Sequence, residues 1–241
     1  MKELIKHLAK KVLSSVGIHL TKNQKYDALS SRIMRKTISS KSICVDVGCH
    51  KGEVLDEMIK CAPEGIFYAF EPIPSMFDVL QNKYGVNVNL FPFALSDQNG
   101  ETQFQHVVSN PAYSGIKRRT YQGEEEINVI QVLQKRLDDI IPPQSKVDFI
   151  KIDVEGAEMQ VLKGAQNTIK RSKPVIVFEH GLGASEHYGT TPEDLHLFLT
   201  NECGLRISTM DGFLKSESNL EIESFSKQFH KGENYYFVAH A

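Results

Sequence analysis

The sequence lacks several features that mark common functional classes. It contains no tryptophan, no apolar run long enough to cross a membrane, and no signal-peptide core before a small-residue cleavage site. The formal net charge is −2, so the composition gives no reason to expect a nucleic-acid partner. The cysteines form no C-x-x-C pair, which favours reduced core thiols in a cytoplasmic protein: Cys44, Cys49, Cys61 and Cys203.

Two glycine motifs that bind phosphates are also missing. Beyond the apolar run 43–47 the chain reads Asp46-x-Gly48-x-x-x-Gly52, without the middle glycine of G-x-G-x-x-G and without Gly-Lys-Ser/Thr. A carboxylate before the turn repels a phosphate but tolerates a cation, and S-adenosylmethionine is a cationic ligand that has no phosphate. The alternative is a structural turn in which Asp46 caps backbone amides.

The segment around this turn predicts the opening of a doubly wound α/β domain. Residues 43–47 suit a strand buried on both faces, and from Val54 the apolar residues fall at helical spacing. In such folds the ligand binds at the carboxyl end of the strand. A second buried strand at 65–70 ends in Glu71-Pro72, where a carboxylate can accept hydrogen bonds from both hydroxyls of an adenosine ribose. An ordinary solvated Glu71 before a proline is the alternative.

A third strand, predicted at 86–95, places further groups where the adenine edge should lie. Ala94, Leu95 and Asp97 come at its end, and backbone groups there or the Asp97 carboxylate are candidates to pair with the exocyclic amine. Alternatively, Asp97 is only a turn former before the next Asn-Gly pair.

Several strings at these positions resemble the signature of the FkbM-type methyltransferases. The resemblance covers about residues 41–180 and rests on Val45–Gly48, Phe70–Pro72, Ala94–Asp97 with Gly100, Leu137–Asp139, Lys151–Glu158 and Val161–Ala165. It implies an S-adenosylmethionine-dependent methyltransferase, commonly acting on hydroxyls of sugars or natural products. One departure is that the glycine turn of the family usually carries a small residue and then asparagine, whereas this chain has Cys49-His50. His50 therefore joins the candidate cofactor-binding residues with its role open.

The predicted fold is an α/β, doubly wound, Rossmann-like methyltransferase sheet of seven strands with an antiparallel last strand. We assign this domain to residues 42–241. Residues 101–132 do not fit a crossover helix and are interpreted as an inserted β-hairpin with a long polar loop. Because long loops are often functional, the candidate acceptor contacts there are Tyr113, Ser114, Arg118 and Arg119. For the arginines, a solvated charge run beside three glutamates is the alternative.

Residues 1–41 form a basic N-terminal extension. They hold ten Lys/Arg and two acids, a net charge of +8, and residues 2–16 show the spacing of an amphipathic helix. One interpretation is peripheral contact of residues 1–16 with an anionic membrane surface. The other is packing on the protein's own domain or on a partner subunit, and the oligomeric state stays open.

Methylation of a hydroxyl needs a group that removes the hydroxyl proton. Asp153, Glu179 and His180 end neighbouring predicted strands on the cofactor side, and the first hypothesis assigns the base to one of them. Histidine has the best-matched ordinary pKa, while Asp153 alternatively holds the methionine ammonium. The second hypothesis makes Asp153, Glu179 and Glu155 ligands of Mg²⁺ that orient two sugar hydroxyls; otherwise Glu155 is a candidate acceptor contact.

The sequence therefore predicts O-methylation of a sugar, glycan or natural-product acceptor with S-adenosylmethionine as cofactor. A binding module that keeps the cofactor fold without turnover, such as a scaffold in a glycan-assembly complex, is one alternative. An NAD-dependent oxidoreductase is another, although the three-glycine turn is absent.

Overall fold

The computed structural model describes residues 21–121 and 123–241. The amphipathic helix predicted at 2–16 lies outside the described residues. The helices are α1 Lys22–Thr37, α2 Glu53–Cys61, α3 Pro74–Tyr84, α4 Glu158–Gly164, α5 Gln166–Ser172, α6 Pro192–Leu197, α7 Met210–Lys215 and α8 Ile222–His230. The strands are β1 Ile43–Val47, β2 Ile66–Phe70, β3 Asn89–Phe91, β4 Phe93–Leu95, β5 Gly100–Val107, β6 Ile127–Lys135, β7 Phe149–Ile152, β8 Val175–Glu179, β9 Arg206–Thr209 and β10 Tyr236–His240.

Within this part of the chain the main sheet has seven strands in the order β3-β2-β1-β7-β8-β10-β9. Strands β1, β2, β3, β7 and β8 pair in parallel, and β10 is antiparallel to both of its neighbours. This confirms the predicted doubly wound sheet with an antiparallel last strand.

The strand register brings a glycine and three acidic residues to one edge of the sheet. Val47 pairs with Phe70 in β2 and with Ile152 in β7. Ile152 in turn pairs with Phe178 in β8, so the residue after each of these four stands at the same level. Those residues are Gly48, Glu71, Asp153 and Glu179, which places a ligand site at the carboxyl edge of the parallel strands.

The strand predicted at 86–95 is instead two strands in different sheets. Pro92 separates β3, which pairs with β2, from β4, which pairs in parallel with β6. Proline lacks the N–H that a continuing ladder requires, so the chain leaves the main sheet at this residue. Strand β4 joins a second sheet of order β4-β6-β5, and β5 and β6 form the predicted antiparallel hairpin.

The single helix predicted at 157–170 is also divided, into α4 and α5. The division falls beside Gly164, where an added Cβ would lie 1.9 Å from the carbonyl oxygen of Ser96. Glycine allows this close contact between α4 and the end of β4, and it weakens helix continuity at the same position.

Helix α1 packs into the same core as the residues that follow it. Its buried side chains share one apolar cluster with α2 and the centre of the sheet: Tyr26, Leu29, Ile33, Met34, Leu55, Met58 and Phe149. The domain boundary predicted between residues 41 and 42 stays a prediction, but α1 is no loosely attached extension.

The state of the cysteines and the length of the helices can be compared with what the composition led us to expect. All four cysteines are free, and Cys44, Cys49 and Cys203 are buried, as expected for core thiols. No helix among the described residues is long and apolar enough to cross a bilayer.

Candidate active site

The turn after β1 is held against β7 by a glycine. Gly48 has φ +75°, and an added Cβ would lie 2.0 Å from the backbone oxygen of Asp153. The N–H groups of Gly48 and Cys49 both donate to the carbonyl of Phe70, at 3.1 and 3.2 Å. Gly52, at φ +78°, likewise has no room for a side chain because Tyr84 Oη would lie 2.2 Å from a Cβ. The turn is therefore fixed between the ends of β2 and β7.

His50 occupies the left-handed conformation at the tip of this turn. Its φ is +48°, and its backbone N–H donates to Glu71 Oε2 at 2.9 Å. Asparagine and histidine are both enriched at positive φ, so His50 can adopt the backbone conformation that the family's asparagine provides. Burial, followed by the neighbouring charge of Lys51, lowers the pKa of His50. Its ring is thus a neutral surface of the site.

Glu71 is a buried carboxyl at the end of β2. It is 4% exposed, and its second oxygen, Oε1, accepts from the N–H of Ile73 at 3.0 Å. Burial raises its pKa to about 7 despite the two amide hydrogen bonds. Each oxygen keeps a further lone pair that faces no described donor.

Glu71 lines a cavity of about 60 Å³ that is partly open to solvent. Its walls are mainly apolar, and they include the sequence-predicted Pro72, Ala94, Leu95 and Ser114. The inserted hairpin contributes Phe104 and Ile116, two residues that sequence reasoning did not select. A mainly apolar lining with a few convergent polar groups is typical of a small-molecule site.

Asp97 lies away from this cavity. It is exposed, lines neither of the two site cavities and accepts from Ser96 Oγ at 3.2 Å. The arrangement matches the turn-forming interpretation better than the adenine contact.

A wider, polar cleft with a volume of about 520 Å³ adjoins the apolar cavity. The two share five lining residues, so they form one continuous site: Gly48, His50, Ala112, Asp153 and Glu155. The cleft additionally contains Asp46 and Glu179, together with Lys151 and Tyr236.

Asp153 is the centre of a network of charged and hydrogen-bonded groups. Its Oδ2 accepts from Lys151 Nζ at 2.8 Å and from Tyr236 Oη at 2.5 Å. Burial acts to raise the pKa of Asp153, but Lys151, Glu179 and Tyr236 outweigh it and bring the pKa to about 2. Asp153 is therefore an ionised carboxylate across the neutral pH range.

Glu179 has the opposite electrostatic environment. Burial and the adjacent charge of Asp153 raise its pKa well above the ordinary value. One oxygen from each of Asp153, Glu155 and Glu179 lies within 4.8 Å of the others. Neighbouring carboxyls with pKa values shifted apart are typical of acid–base chemistry.

Asp46 supplies a buried oxygen without a partner. The residue is 1% exposed, and Oδ2 makes no hydrogen bond within the described residues. Burial raises its pKa to about 7, although Lys151 opposes the shift. A buried carboxyl oxygen that faces a cleft without a donor is suited to a ligand's N–H or ammonium group.

The hairpin loop brings an arginine into the cleft. Arg119 forms an ion pair with Glu155, which has φ +56°, and its guanidinium lies 4.7 Å from the ring centre of Tyr113. Of the predicted acceptor contacts, Tyr113 lines the cleft and Ser114 the apolar cavity, where its Oγ accepts from Val107 N. Arg118 lines neither and faces the ring of Tyr121.

His180 is not brought into the site. It is 1% exposed, lines neither cavity, and stacks on Phe229 with ring centres 4.6 Å apart. Neither ring nitrogen has a hydrogen-bond partner among the described residues, and burial lowers the pKa to about 4. The hypothesis that His180 is the base has no support in this geometry.

Sequence reasoning also passed over Lys151 and Tyr236 as functional residues. Lys151 stands two positions before Asp153, and alternating strand residues share a face, so this lysine had a recognisable signal. Tyr236 comes from the last strand of the chain, and its sequence position alone does not indicate the contact.

The comparisons with known proteins agree with one another. The model of the methyltransferase FkbM domain matches residues 46–207. Over 172 residues the chain is 27% identical to the hexuronic acid methyltransferase AglP of Haloferax volcanii, covering 70% of this chain and 66% of that protein. Over 147 residues it is 27% identical to the 2-O-methyltransferase NoeI of Sinorhizobium fredii, covering 54% of this chain and 60% of that protein. The chain thus spans just under two thirds of the length of these relatives.

The fold has a counterpart among solved structures. The crystal structure of a methyltransferase FkbM from Methylobacillus flagellatus superimposes with a TM-score of 0.53 at 17% identity. The match covers 85% of this chain and 44% of that one, which supports the architecture of the site-bearing sheet.

The burial of His180 predicts a specific pH dependence of stability. Its pKa falls from 6.5 in water to about 4 in the folded protein, so the folded state binds fewer protons and loses stability as pH falls from 6.5 through 4. His180→Phe removes this loss. In denaturant titrations, the free energy of unfolding of the variant should rise relative to wild type by about 2 kcal/mol between pH 7 and 4.5.

The measured quantity is the difference in the free energy of unfolding between wild type and variant. The raised pKa values of carboxyl groups elsewhere affect both proteins equally and cancel in this difference. His180→Leu is a second variant in case phenylalanine overpacks the site. A difference that stays constant with pH would contradict the placement of His180.

Proposed function

Because the chain belongs to the FkbM methyltransferase family, we propose that it transfers a methyl group from S-adenosylmethionine to a hydroxyl of a sugar, glycan or natural product. The observation that carries the proposal is the two-part site. An apolar cavity around a buried carboxyl opens, past Gly48 and Asp153, into a polar cleft with an acidic pair. Two of the chain's relatives are a hexuronic acid methyltransferase and a 2-O-methyltransferase, which supports a sugar-like acceptor.

The residues present fit the adenosine half of the cofactor. Glu71 keeps free lone pairs beside the apolar cavity and can accept from both ribose hydroxyls. Ala94 and Leu95 of β4, with Phe104 and Ile116 of the hairpin, supply an apolar space for the adenine ring. The same cavity would keep water away from the adenine ring.

The methionine half fits the residues that the two cavities share or border. The unpartnered oxygen of Asp46 can accept from the ammonium group, either directly or through water. Gly48 leaves the turn without a side chain, so a ligand can approach the backbone there. The acid-rich surroundings favour a ligand that carries positive charge.

When bound, S-adenosylmethionine supplies an electrophilic methyl carbon, and methylation of a hydroxyl releases one proton. The protein must position the hydroxyl and accept that proton. Asp153 is a weak base because Lys151 and Tyr236 occupy its Oδ2 and lower its pKa. Glu179 lies beside it, faces the acceptor cleft and is the stronger base when ionised. A cation bound nearby lowers its pKa and favours that ionised form.

We therefore assign the general base to Glu179. Asp153 is a positioning residue, since its fixed negative charge orients Glu179 and the cofactor. Lys151 and Tyr236 hold Asp153 in place through hydrogen bonds to one oxygen.

A magnesium site is the second candidate role for Asp153, Glu155 and Glu179. Their oxygens lie within 4.8 Å of one another, and hard cations prefer oxygen ligands. However, Lys151 and Arg119 already neutralise two of these carboxylates. The ion pairs favour a site that works without a divalent cation.

The non-catalytic scaffold remains an alternative that only turnover excludes. The NAD-dependent oxidoreductase is disfavoured because the family is one of methyltransferases and the turn after β1 lacks the middle glycine.

Replacement of Glu71 should weaken cofactor binding. Glu71→Gln loses acceptor capacity for the ribose hydroxyls, and we expect the Kd for S-adenosylmethionine and for S-adenosylhomocysteine to rise at least about tenfold. Isothermal titration calorimetry measures both, with Glu101→Gln, an exposed residue of β5, as the matched control. Equal affinities of wild type and Glu71→Gln would contradict the ribose role, and a wild type that binds neither ligand would contradict the cofactor.

Replacement of Glu179 should slow turnover without loss of cofactor binding. Glu179→Gln keeps the side chain's size but removes its basicity, so kcat should fall by about 10² to 10⁴. The assay follows conversion of S-adenosylmethionine to S-adenosylhomocysteine with a sugar acceptor, and the exposed Glu124→Gln is the control. Full turnover by Glu179→Gln would contradict the assignment and show that another group is the general base.

Removal of divalent cations should leave the activity unchanged. Wild type is dialysed against EDTA and assayed with and without added Mg²⁺. Loss of turnover in EDTA and its recovery with Mg²⁺ would establish the magnesium hypothesis in place of the metal-free one.

A further inference from the structure

We propose that α1 forms a wall of the acceptor site, where Asp27 and Asn23 bind hydroxyl or amino groups of a neutral or amino sugar in preference to a carboxylated or phosphorylated one. The inference deepens the proposed function and rests on it. It assigns acceptor selectivity to residues outside the matched family region, 46–207.

The polar cleft extends beyond the carboxyl edge of the parallel strands. Asn23 and Asp27 of α1 line it, and so do Asn234 and Tyr235, which precede β10. All four lie before residue 46 or after residue 207. This portion of the cleft lining therefore comes from segments outside the matched family region.

Helix α1 is held firmly in this position. Tyr26 Oη donates to Asn234 Oδ1 at 3.0 Å and accepts from the N–H of Tyr235 at 3.3 Å. Lys22 Nζ donates to the carbonyl of Gly232 at 2.8 Å. The rings of Tyr26 and Tyr235 also pack edge to face with centres 4.6 Å apart. These contacts make α1 a preorganised wall rather than a loose segment.

The polar groups that α1 presents are available to a ligand. Asp27 is exposed and makes no hydrogen bond or ion pair with any described residue. Asn23 accepts from Tyr235 Oη through its Oδ1, which leaves its amide N–H donors without a described partner. Tyr235 adds an aromatic surface beside them. A carboxylate, an amide and an aromatic ring together suit a polyhydroxylated ring.

The charge of the cleft restricts which sugars fit. Six acids line it, namely Asp27, Asp46, Glu53, Asp153, Glu155 and Glu179, against two permanent cations, Arg119 and Lys151. Both cations are engaged in ion pairs with Glu155 and Asp153. Acids still outnumber bases when Glu179 is protonated. A sugar that carries a carboxylate or a phosphate would therefore meet net repulsion. A sugar with only neutral hydroxyls or with an ammonium group would not.

The test measures binding and transfer separately. Methyl glycosides of glucose, glucosamine and glucuronic acid are titrated into full-length protein saturated with S-adenosylhomocysteine and followed by saturation-transfer NMR. The same three compounds are then assayed for methylation with S-adenosylmethionine. The variants are Asp27→Asn and Asn23→Ala, and Asp78→Asn on α3 is the control because it removes an exposed charge outside the cleft.

We expect the glucose and glucosamine glycosides to bind and the glucuronide to bind at least about tenfold more weakly. Asp27→Asn should weaken binding of the glucosamine glycoside about tenfold. Its melting temperature and its Kd for the cofactor should equal those of wild type, and Asp78→Asn should bind the glycoside as wild type does. Preferred binding of the glucuronide, no binding of any glycoside, or affinities unaffected by both variants would overturn the inference. Asp27-dependent binding without any methylation would instead refute the proposed transferase function and leave the acceptor wall in place.

Discussion

The close contact between the β1 turn and the end of β7 is the constraint on which the site depends. Gly48 approaches the carbonyl of Asp153 so closely that no other residue fits. This contact places the turn after β1 directly beside Asp153, with no side chain between them. Parallel strand register then adds Glu71 on one side and Glu179 on the other. The apolar cavity and the polar cleft are continuous because of this packing.

The surroundings of Asp153 and Glu179 shift the pKa values of these two neighbouring acids in opposite directions. A buried lysine and a tyrosine hydroxyl stabilise the negative charge of Asp153, which in turn opposes ionisation of Glu179. Two carboxyl groups in different surroundings thus have pKa values shifted apart, which suits the proposed roles of a fixed charge and a proton acceptor. The ion pair of Arg119 with Glu155 brings the inserted hairpin into the same network.

The sequence predicted the sheet and the residues at its carboxyl edge because strand–turn–helix patterns carry their own geometry. It did not separate Glu179 from His180. Consecutive residues at the end of a strand point to opposite faces, and α8, which covers His180 with Phe225 and Phe229, was not predicted. The hydrogen bond of Tyr236 to Asp153 joins positions 83 residues apart, and the contacts of α1 with the segment before β10 join positions 208 to 212 residues apart. Pattern alone does not encode such contacts.

The most direct test of the central claim is a crystal structure of the S-adenosylhomocysteine complex. The account predicts both ribose hydroxyls within hydrogen-bond distance of Glu71, adenine between β4 and the hairpin, and the sulfur atom facing the cleft that contains Asp153 and Glu179. A ligand bound elsewhere, or bound here with its ribose away from Glu71, would contradict the account.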